Sequence, residues 1–143
     1  MPLTKRKMET KLLDTTFLIH HWAGRESISA YLEAQPATTE YITTTINLKE
    51  IAVGRKLVGA FDPVEIRTQF EWVRMVPITP AIAWETAEIE ARLYEDDSIN
   101  KDRINALAGD AIIAGAAREF DATVVSNDVA DFRSLGVPVE SYE

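Results

Sequence analysis

The chain is predicted to be an α/β protein, an α/β/α sandwich around a mainly parallel sheet of four or five strands. Three observations predict this. Short apolar runs alternate along the chain with longer stretches of helical period. The short runs lack the two-residue alternation of a sheet that is wet on one face, so both faces are expected to be covered by helices. The 143 residues contain no repeat, low-complexity linker or charge block, and that length is what one domain fills with a proper core. A single domain over residues 11–143 is expected, preceded by a loose polar and basic tail, MPLTKRKMET, over residues 1–10.

KLLD, residues 11–14, reads as a short buried strand ending in an acid, and TFLIHHWAG turns helical until Gly24. ESISAYLEAQ is a second helix, because Ile28, Tyr31 and Leu32 recur at helical spacing before Pro36 stops it. YITTT, residues 41–45, is rich in β-branched side chains and predicts another strand, after which NLKEIAVGRKLVGAF reads as helical. In DPVEIRTQFEWVRM, Asp62 can cap, Pro63 suits the first helical position and Glu65 supplies the acid of a capping box. MVPI, residues 75–78, predicts a strand, and TPAIAWETAEIEARLYEDD starts a helix with the same Thr-Pro logic. After the polar SINKDR comes an alanine-rich helix, then DATVVSND as strand and loop, and GVPVESY closes the sheet.

Composition narrows the chemistry. There is no cysteine, which excludes disulfides, thiolate nucleophiles and cysteine-ligated metals and fits a reducing, cytoplasmic setting. His20 and His21 are the only histidines, a poor basis for a histidine metal site or a histidine base. Nothing reads as a signal sequence or membrane span. The formal net charge of -8 opposes unspecific attraction to a phosphate backbone. Nucleic acid can be a substrate only where local positive charge or metal overcomes that background.

In an α/β sheet, sites gather beyond the carboxyl ends of the strands. Asp14 ends the first strand, Glu50 sits near the start of a helix that follows a strand, and Asp128 follows TVVSN. Asp110 stands inside the apolar run LAGDAIIAGAA, where an ionised group is costly unless compensated. Each acid has a bland reading. Asp14 can cap a helix, Asn47 and Glu50 can form a capping box, Asp110 can cap AIIAGAAREF, and Asp128 can sit in a surface turn. Ile104, Leu107 and Ala108 instead suggest a preceding helical turn, which would place Asp110 within a helix, with Gly109, Ala111, Ala114 and Gly115 leaving clearance around it. Capping does not explain four acids on one sheet edge. A hard divalent ion does, since Mg²⁺ takes oxygen ligands and joins carboxylates to phosphates. The chemistry implied is phosphodiester hydrolysis. Glu85, Glu88, Glu90, Glu95, Asp96 and Asp97 are read as solvated surface.

The segments LLDTTFLI, TINLKEIAVG, GDAIIAGAAREFDATVVSNDVADF and GVPVESY together resemble the PIN-domain ribonucleases, especially the VapC-type toxins of toxin–antitoxin pairs. The resemblance runs from about residue 11 to residue 142. It implies a PIN-like fold and an Mg²⁺- or Mn²⁺-dependent endoribonuclease. It assigns the catalytic and metal-binding acids to Asp14, Glu50, Asp110 and Asp128, with Thr15, Ser126 and Asp131 as accessory residues. Asp14 and Asp110 would ligate first, Asp128 directly or through water, while Glu50 ligates or orients the attacking water. The resemblance also implies an RNA substrate, a protein antitoxin that places a basic side chain on the acids, and a homodimer.

Lys49, Arg55, Lys56, Arg118 and Arg133 are candidates for phosphate contacts, with an ordinary surface role as the alternative for each. Among Phe17, Trp22, Tyr31, Phe61, Phe70, Trp72 and Trp84, most are expected in the core and some on a partner-facing surface. Two other acid-bearing classes fit worse. A phosphoacceptor signalling domain needs an aspartate where MVPITP has none, and a haloacid-dehalogenase-like phosphatase needs an acid where Thr16 stands. A non-catalytic RNA- or protein-binding module of the same fold is the remaining alternative.

Overall fold

The computed structural model describes residues 8–143, in which five strands run parallel in the order β3-β2-β1-β4-β5. These are β1 (Thr10–Leu13), β2 (Glu40–Thr44), β3 (Arg74–Val76), β4 (Thr123–Val125) and β5 (Val139–Glu140). Central β1 sets the register, with Leu12 opposite both Ile42 and Val124, and Leu13 opposite Val125.

Successive strand residues point to opposite faces, and this splits the interior in two. Leu12, Ile42, Val76 and Val124 pack with α5 (Pro80–Glu95), α6 (Lys101–Ala106), α7 (Ala108–Glu119) and α8 (Val129–Ser134). Leu13 and Val125 pack on the other face with α1 (Thr15–Trp22), α2 (Glu26–Ala34), α3 (Thr45–Leu57) and α4 (Pro63–Gln69). The three-layer sandwich and its parallel sheet agree with the expectation.

Several boundaries differ for local reasons. The second strand spans 40–44 because Thr44, its last residue and paired with Val76, also caps α3, whose first residue is Thr45. The helix expected to run on through residue 61 ends at Leu57, before Gly59 at a φ of 71°. Asp62 caps α4 as expected, accepting from the Val64 and Glu65 amides at 3.0 and 3.5 Å. The Glu65 carboxylate, however, goes to Arg55 at 3.4 Å and not into a capping box. α4 stops at Gln69, and Arg74 and Met75 enter β3. That strand ends at Val76 because Pro77 has no N–H to continue the ladder. Thr79 and Pro80 start α5 as expected, with the Thr79 hydroxyl accepting from the Ile82 amide at 3.3 Å.

Residues 1–7 of the expected tail lie outside the described residues; Met8 and Glu9 lead into β1, where the Glu9 carbonyl accepts from the Glu40 amide at 2.8 Å. Among the described residues no helix is long and apolar enough to cross a membrane.

Candidate active site

From β1 the chain moves outward through β2 and β3, then returns to the other side of β1 to lay down β4 and β5. Such a reversal opens a crevice beyond the carboxyl ends of the two strands that flank it, here β1 and β4. Asp14 directly follows β1 and Ser126 directly follows β4. The Asp14 amide donates to the Val125 carbonyl at 3.2 Å, which locks the two strand ends together.

Asp14 is buried and caps α1, as its capping reading expects. Its Oδ1 accepts from the Thr15 amide at 2.9 Å, and its Oδ2 accepts from the Ser126 hydroxyl at 2.8 Å. Ser126 Oγ in turn accepts from the Asp128 amide at 3.0 Å. One hydroxyl therefore aims the Asp14 carboxylate and sets the turn that presents Asp128, through bonds that polarise one another.

The alternative in which Asn47 caps a helix and forms a box with Glu50 does not hold. α3 starts earlier, and Asn47 is the third helical residue of a capping box whose cap is Thr44. Its Oδ1 accepts from the Thr44 amide and hydroxyl at 3.1 and 2.7 Å. Its Nδ2 donates to Thr15 Oγ1 at 2.9 Å and to Asp14 Oδ1 at 3.4 Å. Buried Asn47 thus couples the end of β2 to the acid at the end of β1. The signal for it was present in TTTIN, where a Thr precedes Asn by three residues.

Glu50 lies one turn further along the same face of α3, exposed, beside a cavity of about 390 Å³ lined by Ile19, Trp22, Ile51 and Arg55. Asp110 is the third residue of α7, which begins at Ala108 after the short α6, so the reading within a helix holds and the cap reading does not. Asp128 occupies the N-cap position of α8 but makes no side-chain cap bond. Asp131 pairs with Arg103 at 2.5 Å, a cation that sequence reasoning did not single out.

The small residues around Asp110 divide. A Cβ on Gly109 would meet open space, consistent with clearance at the acid. Ala111, Ala114 and Gly115 are buried, and a Cβ on Gly115 would collide with Thr86 Oγ1 and press on the Thr86 amide at 3.0 Å. All three are enclosed in the core and give no clearance, and Gly115 serves the close packing of α7, the helix that carries Asp110, on α5.

Electrostatics link the acids. Burial, then the charges of Asp14, Asp128, Asp131 and Glu50, push Asp110 up to about 6. Burial also raises Asp14, opposed by the bonds from Ser126 and Thr15 and reinforced by Glu50 and Asp128. The charges act on one another across one crevice. Among the described residues, none of Asp14, Glu50, Asp110 and Asp128 forms an ion pair, and no three acidic or histidine side chains make a ready-built metal cage. An all-oxygen, net-negative donor set that lacks a cationic partner suits a hard divalent ion.

Of the basic candidates, Arg118 is committed to Glu85 and Glu88 at 3.0 and 2.9 Å, so those two glutamates are not merely solvated. Arg55 lies over the Trp22 ring at 4.4 Å, next to Glu50 on the cavity wall. Lys49, Lys56 and Arg133 are exposed. The histidines are occupied elsewhere: His20 Nδ1 meets the Tyr142 hydroxyl at 2.8 Å, and His21 packs 4.8 Å from the Trp72 ring.

Fold and site define an α/β/α domain with an acidic centre at its topological switch. The PIN domain family matches residues 11–137, and the chain belongs to that family. No curated protein sequence matches it. Among solved structures it is similar to a chain of a toxin–antitoxin complex from Klebsiella pneumoniae, with 22% identity, a TM-score of 0.68 and 93% of this chain and 98% of that chain covered. It is also similar to a chain of DNA-bound VapBC from Salmonella typhimurium, with 21% identity, a TM-score of 0.72 and coverages of 95% and 100%. A third is a chain of VapBC2 from Rickettsia felis bound to a DNA fragment from the promoter, with 16% identity, a TM-score of 0.73 and coverages of 94% and 99%. At these identities the likeness is one of fold.

Proposed function

We propose that this PIN domain is an Mg²⁺- or Mn²⁺-dependent endoribonuclease, the cytoplasmic toxin of a type II toxin–antitoxin pair. The observation that carries the reading is the set of mutually repelling acids at the β1/β4 switch, of which Asp14, Glu50, Asp110 and Asp128 have no ion-pair partner among the described residues. Asp14, Asp110 and Asp128 would hold the ion with help from Glu50, and the ion would supply Lewis acidity and a nucleophilic water at neutral pH. Ser126 and Asn47 hold the Asp14 carboxylate in one orientation, as outer hydrogen bonds do for metal ligands. Glu50, exposed at the rim, orients the attacking water. The water attacks phosphorus and the RNA supplies only the bond that breaks. The exposed Lys49, Lys56 and Arg133 would offset the negative field for an RNA backbone, while Arg55 is shared with Glu65.

The likeness to chains of toxin–antitoxin complexes supports a protein antitoxin as partner, with a basic side chain placed over the acids. The test is incubation of the purified chain with single-stranded and structured RNA in Mg²⁺ or Mn²⁺, with chelator, and beside Asp110→Asn. Cleavage that chelator and Asp110→Asn both abolish is expected. Cleavage indifferent to both removes the proposed centre, and RNA binding with no cleavage under any metal favours the non-catalytic module.

A further inference from the structure

Among the described residues, one cation forms an ion pair with the acids grouped around Asp110. Arg103, in α6, meets Asp131 Oδ1 with a terminal guanidinium nitrogen at 2.5 Å. Asp131 lies in the first turn of α8, three residues after Asp128, and its charge is among those that raise Asp110. α6 itself leads into α7, the helix that carries Asp110, at Leu107, which ends one helix and precedes the other. Arg103 is thus joined to the acidic centre through the chain on one side and through Asp131 on the other.

The ion pair does not account for the whole guanidinium. A surface pair adds little to stability, and both partners stay accessible, Arg103 at 48% and Asp131 at 31% of their side chains. The contact engages one nitrogen of a planar fork that carries five N–H donors. Its other two nitrogens hydrogen-bond to no acceptor among the described residues. A half-exposed guanidinium with donors to spare suits a phosphate, which it can grip through two parallel N–H···O bonds. The charge balance calls for such a group. Even beside a divalent ion, Asp14, Glu50, Asp110, Asp128 and Asp131 remain net negative, and a phosphodiester brings a further negative charge into the same space.

We propose that Arg103 is a phosphate-binding residue of the acidic centre: Asp131 holds its guanidinium beside the acids, and an RNA backbone phosphate next to the scissile one completes its bonding. Phosphate contacts set the register of a strand without reading its bases, so Arg103 fixes which phosphate meets the acids. The proposal rests on the nuclease reading of the same site.

Its test measures binding, so that the outcome does not depend on turnover. Asp110→Asn, which the nuclease reading expects not to cleave, serves as the background in Mg²⁺. A labelled single-stranded oligoribonucleotide is titrated with the full chain by fluorescence anisotropy over a range of salt. Adding Arg103→Ala should weaken binding about tenfold and make log Kd depend less steeply on log salt, by about 0.7, the share of one single-strand phosphate contact. Arg103→Lys should keep the slope and recover part of the affinity. Asp131→Asn frees Arg103 and removes a repelling charge, so it should bind at least as tightly as the background. Arg103→Ala combined with Asp131→Asn has the background's net charge and should still bind weakly, with the shallower slope. Arg74→Ala is the matched control. It breaks an exposed pair with Glu40 at 3.3 Å between the first residues of β3 and β2, at the far end of the sheet, and should change binding by less than about twofold.

Equal weakening by Arg103→Ala and Asp131→Asn would mark a mere clasp between α6 and α8. Recovery in the double variant would mark simple neutralisation of Asp131, and an unchanged salt slope would exclude a phosphate contact. Each of these overturns the proposal, as does a background that binds no RNA. The nuclease reading fails separately: a wild type that never cleaves, while its RNA binding still depends on Arg103, overturns that reading and leaves the phosphate contact standing.

Discussion

The two ends of β1 treat buried charge in opposite ways. At the amino end, Lys11 is buried and paired, with its Nζ 2.7 Å from Glu140 and 3.5 Å from Glu9. Tyr31 donates its hydroxyl proton to the same Glu140 at 2.6 Å. Burial alone would raise Glu140, but the bonds from Lys11 and Tyr31 hold it below its ordinary range. At the carboxyl end, Asp14 is equally buried but, among the described residues, meets further acids and neutral donors without a cation. The fold can neutralise a buried charge, and it does so ten ångströms or so away along the same strand. The uncompensated end is where the proposed cation would bind, so the contrast sets charge that serves the fold beside charge that the proposed function assigns to a ligand.

The largest expected effect comes from removing a charge at the functional end. Asp14→Asn should lower metal-dependent RNA cleavage by at least about 100-fold with the fold intact, since loss of a ligand outweighs loss of its supporting bond. Removing a charge at the structural end should do the reverse. Lys11→Met leaves Glu140 and Glu9 without their cation and should cost about 2 kcal/mol in denaturant unfolding, below the value for fully buried pairs because Glu140 is partly exposed. Cleavage per folded molecule should not change. Ser126→Ala, which frees the Asp14 carboxylate and the Asp128 turn, should reduce cleavage by roughly 10- to 100-fold, with weakened metal affinity as the measured cause. Gly115→Ala should show how far packing alone reaches the site. The added methyl forces α5 and α7 apart and should cost about 1–2 kcal/mol of stability, with a smaller loss of cleavage than Ser126→Ala.

The sequence made the acids legible because their meaning is local. Asp14 and Asp128 end apolar runs, and Asp110 interrupts one, so their position relative to the strands could be read before any contact was known. What escaped was anything set by a distant partner. Asn47 looked like a cap because Asn-x-x-Glu is a capping pattern, and only a helix that starts one turn earlier, capped by Thr44 at the end of β2, turns its amide towards Asp14. Ser126 was placed through the family pattern, but its bond to Asp14 spans 112 residues of chain. Small residues before and after Asp110 look alike in sequence, yet Gly109 borders open space and Gly115 touches Thr86. Trp84 has the helical spacing of a core residue, and only the packing of α5 shows that it faces outward.

The central claim, that Asp110 belongs to an acidic centre awaiting a cation, is tested most directly by the melting temperature of Asp110→Asn and wild type with and without Mn²⁺. An aspartate raised from 3.8 to about 6 is destabilising once ionised, and the penalty grows as pH rises from the lower value and is complete above the higher one. Asp110→Asn removes it, so at pH 7.5 without metal the variant should be more stable than wild type by about 1 kcal/mol, a figure reduced for the half-exposed carboxylate. The gap should narrow at pH 5. Saturating Mn²⁺ should raise the wild type by several degrees and the variant little, which reverses their order. Equal stabilisation of both by Mn²⁺, or a variant less stable than wild type without metal, would contradict the account.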